Sequence, residues 1–200
     1  MFPRVFPIGI GIGTDICRVS RIYKNLTSPM ATKFVQRILT PEELDTPGVS
    51  RILKKVFTPE GFMPRSPDLL SNTENAARNP KQRDPRLWKA AEFMAGRFAA
   101  KEATVKAYSL RRLSFHDIVV TYEHDLPAEP PENGDVSGSS PNAAGDDAPP
   151  NEYQSSPPVA IIKGEGGHEN VYARLSISHD GDYAIAMCLA TLDGPSRSES

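Results

Sequence analysis

Two carboxylates in the sequence fall among glycine or apolar residues, where a charged side chain is unusual. Asp15 falls on the glycine face of the alternating stretch IGIGIGTDI at 8–16, and Glu102 falls in an otherwise apolar stripe at helical spacing. A carboxylate within an apolar stripe is costly unless it is paired or bound to a metal ion. Two such groups could share one hard cation such as Mg²⁺, which binds carboxylates, water and phosphate oxygens.

Four cationic or hydrogen-bonding side chains accompany the two carboxylates: Arg97, Lys101, Lys106 and His179. Groups of this kind bind phosphate oxygens. The combination indicates phosphoryl or pyrophosphate chemistry, in which positioning and charge neutralisation supply most of the rate. An alternative for Glu102 and Lys106 is a helix salt bridge, since they are four residues apart.

The alternation at 8–16 predicts a strand. Its branched face is expected to be buried, and its glycine face is expected to admit a second backbone or a ligand. The branched face consists of Ile8, Ile10, Ile12, Thr14 and Ile16.

The other elements are predicted from periodicity and capping signals. Short helices are expected at 21–26 and 31–39, and Thr40-Pro41-Glu42-Glu43 has the form of a capping box. A long helix is expected from about Pro85 to Leu110, with its stripe at Trp88, Ala91, Met94, Phe98, Glu102 and Val105. Strands are expected at 114–122, at 159–163 and in a hairpin at 171–178 and 183–191, with Asp180-Gly181 as its turn and His179 at the exposed end. The fold class is α+β, with a mostly antiparallel sheet packed on one long helix and several short helices.

Composition predicts one domain over 1–200, interrupted by two segments of unusual content. A loop excursion is expected at about 58–85, and 126–158 has eight prolines, six acidic residues and no lysine or arginine, as in a disordered insertion.

The net charge is −2, but residues 1–40 carry six basic residues against a single acidic residue, Asp15. A basic surface of this kind suits an acidic partner. Two cysteines, Cys17 and Cys188, cannot form a disulfide framework, and no apolar run is long enough for a membrane helix, so a reduced, soluble, intracellular protein is expected.

Three stretches in order resemble the holo-(acyl-carrier-protein) synthases, which are small 4'-phosphopantetheinyl transferases. They are GIGTDI at 11–16, FMAGRFAAKEATVKA at 93–107 and SISHDGDYAIA at 176–186, supported by FVQRILTPEEL at 34–44 and LSFHDI at 113–118. The resemblance implies the 4'-phosphopantetheinyl transferase fold. It also implies Mg²⁺-dependent transfer of phosphopantetheine from coenzyme A to a serine of an apo-acyl carrier protein, with release of adenosine 3',5'-bisphosphate, in fatty acid biosynthesis.

The same resemblance implies the site residues. Asp15 and Glu102 would hold Mg²⁺ and, with Lys106 and His179, form the catalytic centre. Coenzyme A would be bound by Arg97, Lys101, Lys106, Ser178 and His179. The acidic carrier would be bound by Arg18, Arg21 and Arg37. Four candidates remain for the group that takes the serine proton: a metal-ordered water, Lys106, Glu102 or a carboxylate of the stretch 43–45.

The resemblance further implies a homotrimer with active sites between subunits, and neither nucleic acid nor membrane as a partner. Many bacterial members have an acidic residue where Arg18 stands, which weakens the case for a third carboxylate near the metal. The low-complexity insertion suggests a fungal protein, so a mitochondrial enzyme is expected, or otherwise a cytoplasmic one. A different class of function is a carrier-protein or coenzyme-A binding module without catalysis.

Overall fold

The computed structural model describes residues 9–54, 57–58, 61–64, 83–126 and 156–192, with the backbone alone for 54, 57–58 and 61–64. Most of the predicted insertion at 126–158 and most of the predicted excursion at 58–85 lie outside the described residues. The prediction of one domain over 1–200 therefore stays a prediction.

Helices and strands alternate irregularly along the chain. Their order is β1 (Ile10–Arg18), α1 (Val19–Leu26), α2 (Ala31–Ile38), α3 (Pro41–Asp45), α4 (Pro47–Lys54), β2 (Phe57–Thr58), β3 (Gly61–Pro64), α5 (Pro85–Ala107), β4 (Ile118–Tyr122), β5 (Pro158–Ile162), β6 (Val171–Asp180) and β7 (Tyr183–Thr191), with 3-10 turns at Phe115–Asp117 and Glu123–Asp125. Among the described residues, five strands form an antiparallel sheet in the order β1-β7-β6-β5-β4, and β2 pairs with β3. The predicted α+β class with a mostly antiparallel sheet is confirmed.

Helix α5 is the element on which the sheet packs. Its start is set by Asp84, whose side chain accepts hydrogen bonds from the amides of Arg86 and Leu87, and by Pro85 in the first turn. Alanines occupy much of the buried surface of the helix, namely Ala90, Ala91, Ala95, Ala99, Ala100, Ala103 and Ala107. Small side chains on this surface let the strand backbone come close.

Strand β1 uses its glycine face for that close approach. A Cβ added to Gly11 would lie 1.8 Å from the carbonyl oxygen of Ala107, and one added to Gly13 would lie 1.9 Å from that of Ala103. These distances leave no room for a side chain, so β1 lies directly on the backbone of α5. The predicted close approach of a second backbone to the glycine face is confirmed.

The prediction that the branched face of β1 is buried is wrong. Ile12 is 65% exposed and Ile16 is 61% exposed, while Gly13 on the opposite face is enclosed. Period two shows that a strand has two distinct faces, but it does not show which face meets the helix. Here the backbone of α5 excludes side chains, so the isoleucines point away from it.

Three further details differ from the sequence predictions. In the β6–β7 hairpin Asp180 pairs with Tyr183, so the turn is Gly181-Asp182, and Gly181 has a φ of +54°. Strand β4 begins at Ile118, after a 3-10 turn that occupies the start of the predicted strand at 114–122. The predicted stripe of α5 is not uniformly in the core: Trp88, Phe98, Glu102 and Val105 are partly exposed, whereas Ala91 and Met94 are buried.

The capping box at 40–43 is confirmed: Thr40 and Glu43 bond each other's backbone amides. In the part of the chain that the structure describes, no helix combines the length and hydropathy that crossing a membrane requires.

Candidate active site

Strand β1 and the last turns of α5 bring Asp15 and Lys106 into contact. The ammonium of Lys106 donates to Asp15 Oδ1 at 2.8 Å and to the carbonyl oxygen of Thr14 at 2.9 Å. The Asp15 side chain is 16% exposed and that of Lys106 is 50% exposed. A mostly enclosed carboxylate is therefore neutralised by a cation that still reaches solvent.

Glu102 lies one helical turn before Lys106 on the same face of α5, as their spacing of four residues requires. Its side chain is partly exposed and makes no hydrogen bond or ion pair with the residues described in the structure. Within those residues no group of three or more His, Cys, Asp or Glu is placed to hold a metal ion. A metal ion bound here would therefore have two carboxylates, Asp15 and Glu102, as its protein ligands, and its other ligands would be water or substrate.

A second part of the candidate site is a cavity of about 230 Å³ between α5, the ends of β4 and β6 and the start of β5. Arg97 and His179 supply its charged or titratable groups. Its lining residues are Phe93, Gly96, Arg97, Tyr122, Pro158, Ile177 and His179. The mixture of aromatic rings with a guanidinium and an imidazole suits a heteroaromatic or phosphate-bearing ligand.

Arg97 is 6% exposed and is held in place by the backbone of β4. Its Nη1 donates to the carbonyl oxygen of Val120 at 2.6 Å, and its guanidinium lies 5.1 Å from the ring centre of Phe93. Burial lowers the pKa of Arg97, while the charge of Glu43 acts in the opposite direction. The guanidinium stays charged, since even a lowered arginine pKa lies far above neutrality.

His179, near the end of β6, lies on the face of the sheet that packs on α5, and its ring contacts that helix. Its Nε2 lies 3.0 Å from the carbonyl oxygen of Glu92. Alternation along β6 places Ser178 on the opposite face, and Ser178 does not line the cavity. The structure thus brings Arg97 and His179 together and leaves Ser178 apart from them; its role toward coenzyme A stays a prediction.

The structure corrects the prediction that Lys101 binds coenzyme A. Its side chain is 0% exposed, and the ammonium donates to Glu43 Oε2 at 2.5 Å and to the carbonyl oxygens of Ile38 and Phe115 at 2.7 and 3.0 Å. Burial lowers the pKa of Lys101, an effect that the carboxylate of Glu43 opposes. An enclosed ammonium with three acceptors cannot reach a phosphate.

The same contact corrects the inclusion of Glu43 among the candidate bases. Its Oε2 also accepts from the Thr40 amide at 2.9 Å, and its Oε1 accepts from the Val120 amide at 3.2 Å. Both carboxylate oxygens are thus engaged by the fold. The sequence signal for this structural role was the capping box itself, because it commits the Glu43 carboxylate to the start of α3.

A basic groove of about 770 Å³ lies beside the start of α1. Arg18 and Arg21 line it, whereas Arg37 on α2 does not. The other residues that line it are Ile16, Ser20, Lys24, Arg83, Asp182 and Tyr183. Lys24 could have been found from the sequence, since it is one turn after Arg21; Arg83 had no local signal, because it lies within the predicted excursion at 58–85.

Arg18 and Arg21, two of the three arginines that line this groove, are oriented by neighbouring side chains. Arg18 donates to the hydroxyl of Tyr183 at 2.7 Å and faces Asp182 at 3.7 Å. Arg21 donates to the Cys17 sulfur at 3.5 Å, and its guanidinium lies 5.2 Å from the ring centre of Phe98. Burial raises the pKa of the Cys17 thiol, which the nearby guanidinium partly offsets.

The outer face of the sheet carries a row of exposed apolar side chains from β1 and β7. In the strand register Ile12 is opposite Leu189, Thr14 is opposite Met187 and Ile16 is opposite Ile185. The exposed apolar residues of this outer sheet face are Ile12, Ile16, Ile185, Met187 and Leu189. Exposed apolar faces of this kind are typical of surfaces that bind a protein partner, a ligand or a membrane.

Comparison with known proteins identifies the class to which these features belong. The chain is 30% identical over 188 residues to the mitochondrial 4'-phosphopantetheinyl transferase B of Aspergillus fumigatus, which covers 92% of this chain and 95% of the relative. It is 32% identical over 190 residues to the holo-(acyl-carrier-protein) synthase of Geobacillus kaustophilus, which covers 93% of this chain and 92% of the relative. The sequence matches no protein-family model.

Among solved structures, a holo-(acyl-carrier-protein) synthase from Bacillus anthracis in complex with CoA (3',5'-ADP) aligns over 92% of this chain and 96% of its own. The identity is 25% and the TM-score is 0.46.

One relative is named a 4'-phosphopantetheinyl transferase and the other a holo-(acyl-carrier-protein) synthase, and the alignments span nearly their full lengths. The chain belongs to the holo-(acyl-carrier-protein) synthase family of 4'-phosphopantetheinyl transferases. The family predicted from the motifs at 11–16, 93–107 and 176–186 is thereby confirmed.

Proposed function

We propose that this enzyme transfers the 4'-phosphopantetheine group of coenzyme A to a serine of an acidic apo-acyl carrier protein. The serine oxygen forms a bond to the phosphorus that bears the pantetheine arm, the bond from that phosphorus to the bridging oxygen breaks, and adenosine 3',5'-bisphosphate leaves. The observation that carries the proposal is the contact of Asp15 with Lys106, because it joins the motifs at 11–16 and 93–107 in one site.

The two carboxylates fit Mg²⁺. Asp15 accepts a cation in the form of the Lys106 ammonium, and Glu102 offers hard oxygen donors on the neighbouring turn of α5. Asp15 and Glu102 would hold the ion, which would neutralise charge on the pyrophosphate when bound. Lys106 is half-exposed, so its long side chain is able to turn from Asp15 toward a phosphate.

The cavity lined by Arg97 and His179 would bind the remaining phosphate and the base of coenzyme A. Arg97 is presented with its guanidinium anchored on Val120, so it supplies a fixed positive charge. His179 offers a second donor in the same cavity through Nδ1 when both ring nitrogens carry protons, since Nε2 is bonded to the carbonyl oxygen of Glu92. Ser178 is proposed as a more peripheral contact.

The nucleophile comes from the carrier, and its proton must pass to a base. The burial of Glu43 with Lys101 removes that carboxylate from the candidates. Glu102, Lys106, Asp45 and an ordered water beside Asp15 remain, and we propose that the base is one of them.

The direct test is the intact mass of an apo-acyl carrier protein incubated with the enzyme, coenzyme A and Mg²⁺. The expected result is a gain of one phosphopantetheine group that a chelator prevents. Binding of coenzyme A without any gain on several carriers would contradict the transfer and support a binding module instead. A gain that persists in chelator would contradict the metal requirement alone.

The basic groove is proposed as the surface that binds the acidic carrier. It concentrates positive charge from Arg18, from α1 and from Arg83, and its lining includes Ile16, the neighbour of Asp15 on β1. Arg37 is placed outside the groove, so we propose it as an outlying contact. Charges at the rim of such an interface act mainly on association with the partner.

Reversing one of these charges is expected to separate the two substrates. Arg21→Glu should raise the KM for carrier protein on the order of tenfold and leave the KM for coenzyme A unchanged, because the groove faces the partner. Steady-state kinetics with each substrate varied in turn measures this. Lys33→Glu, an equal charge change on exposed α2 outside the groove, is the control. Equal effects on both KM values would place Arg21 in the coenzyme A site.

We propose that the outer sheet face forms the contact between subunits of a homotrimer. The exposed isoleucines of β1 and their partners on β7 would be removed from water in this way, at about 25 cal/mol per Å² of apolar area. The face includes Ile16, which also borders the basic groove. Active sites would thereby lie at the subunit boundaries.

Ile12→Glu is expected to dissociate the assembly without unfolding the subunit, because the side chain points outward in the isolated chain. Sedimentation velocity should show a fall from trimer to monomer mass. Leu110→Glu, at an exposed apolar residue outside the sheet, should leave the mass unchanged. A trimer that survives Ile12→Glu, or a wild-type protein that is monomeric, would contradict this interface.

We propose a mitochondrial location and a role in fatty acid biosynthesis. Support comes from the relative in Aspergillus fumigatus, whose name places it in mitochondria. Fractionation of cells that express the full chain tests the location, and comparison of carrier proteins in the mass assay tests the pathway.

A further inference from the structure

Gly96 is a glycine in the interior of a 23-residue helix, at a position where alanine would be more stable. A glycine costs about 1 kcal/mol relative to alanine in a helix interior. Its neighbours Ala95, Ala99 and Ala100 show that the surrounding helix is built from alanines. Some other interaction must therefore compensate for the glycine.

That interaction is with the ring of His179. A Cβ added to Gly96 would lie 3.2 Å from both Cε1 and Nε2 of His179 and 3.3 Å from Cγ2 of Ile177. These separations are shorter than ordinary van der Waals contact. The imidazole thus lies in a notch on α5 that exists because residue 96 has no side chain.

The notch determines which ring nitrogen meets the helix. Nε2 lies 3.0 Å from the carbonyl oxygen of Glu92, which also accepts the helical bond of the residue four positions on, Gly96 itself. A carbonyl oxygen only accepts, so Nε2 must donate, and the proton of a neutral ring is on Nε2. Nδ1 is then the nitrogen that stays uncommitted to the helix, and it donates to a phosphate oxygen only when the ring carries its second proton.

We propose that Gly96 is the positioning residue for His179: by leaving the notch open, it orients the imidazole beside Arg97 for binding of the coenzyme A phosphate. This proposal rests on the proposed function for its substrate. His179 is exposed at the end of β6, so a side chain at 96 would displace the ring and leave the helix intact.

The test is a double-mutant cycle with Gly96→Ala, His179→Ala and the two combined. Loss of a hydrogen bond to a charged group corresponds to about ten- to a hundredfold in affinity, and we expect each single variant to raise the KM for coenzyme A within that range. In the His179→Ala background, Gly96→Ala should change this KM by less than about twofold, because no ring remains to displace. The KM for carrier protein should stay unchanged throughout.

Two comparisons make the cycle specific. The melting temperature of Gly96→Ala should be no lower than that of the wild type, since alanine favours the helix. Gly48→Ala, at a helical glycine where an added Cβ meets nothing within 4 Å, should leave every kinetic parameter unchanged. An unaltered KM in Gly96→Ala would overturn the proposal. The proposal would also be overturned if Gly96→Ala raised the KM for coenzyme A equally with and without His179. The added methyl group would then act on the cavity directly and not through the ring.

A second readout does not depend on turnover. Long-range ¹H–¹⁵N correlation spectra of the full chain, assigned with His179→Ala, report which ring nitrogen carries the proton. We expect the Nε2–H form in the wild type and a changed pattern in Gly96→Ala. An unchanged pattern would overturn the positioning role even if transfer is active. Absence of transfer with a changed pattern would overturn the proposed function and leave the notch established.

Discussion

Glu102→Gln is expected to lower kcat on the order of 10²–10³-fold, as the loss of one electrostatic group at a reacting centre does. The variant removes a charge but little volume. Glu102 makes no hydrogen bond or ion pair with the residues described in the structure, so no fold contact is lost. The melting temperature should therefore match that of the wild type. Asp15→Asn is expected to reduce kcat similarly, because it removes the other carboxylate.

The measurement is the rate of carrier mass gain over a Mg²⁺ titration. A weakened metal site predicts that the loss is largest at low Mg²⁺ and smaller at high Mg²⁺. Glu169→Gln, an exposed glutamate outside the site, serves as the control and should keep the wild-type rate. Normal turnover of Glu102→Gln at low Mg²⁺ would show that this carboxylate does not hold the ion.

Lys101→Met is expected to destabilise the protein by about 3–5 kcal/mol, because it leaves the Glu43 carboxylate buried without its countercharge. Two amides, those of Thr40 and Val120, would be its remaining donors. The double variant Lys101→Met/Glu43→Gln should recover much of the loss, since removing both charges relieves the desolvation cost. Urea unfolding at a fixed protein concentration gives these free energies.

Lys106→Met provides a matched control on the same helix. It also removes a lysine paired with a carboxylate, but this ammonium is half-exposed, and an ion pair of that kind contributes about 0–1 kcal/mol. We expect Lys106→Met to lose activity with little change in unfolding free energy. In Lys101→Met the main effect should instead be the loss of unfolding free energy. Similar unfolding free energies for the two variants would contradict the structural role of Lys101.

Much of the local structure follows from the sequence. The strand at 8–16, the capping box at 40–43 and the helix from Pro85 were each predicted from patterns among residues close in the chain. The capping box and the start of the helix are where they were predicted, and the strand spans Ile10–Arg18. The glycines of β1 also predicted the close approach of another backbone. Asp15 was predicted beside Glu102 and Lys106 by motif resemblance, and the structure brings Asp15 and Lys106 into contact.

What the sequence alone determined about this protein is its family, its α+β class and the residue types of its candidate site, because these are carried by periodicity and by motifs. The tertiary structure decided which face of β1 is covered, which of two lysines on α5 is buried, and which side of β6 presents His179. Each of these depends on a partner far away in the chain. Lys101 and Lys106 have the same side chain and lie on the same helix, and they differ because Glu43 lies against one and solvent against the other.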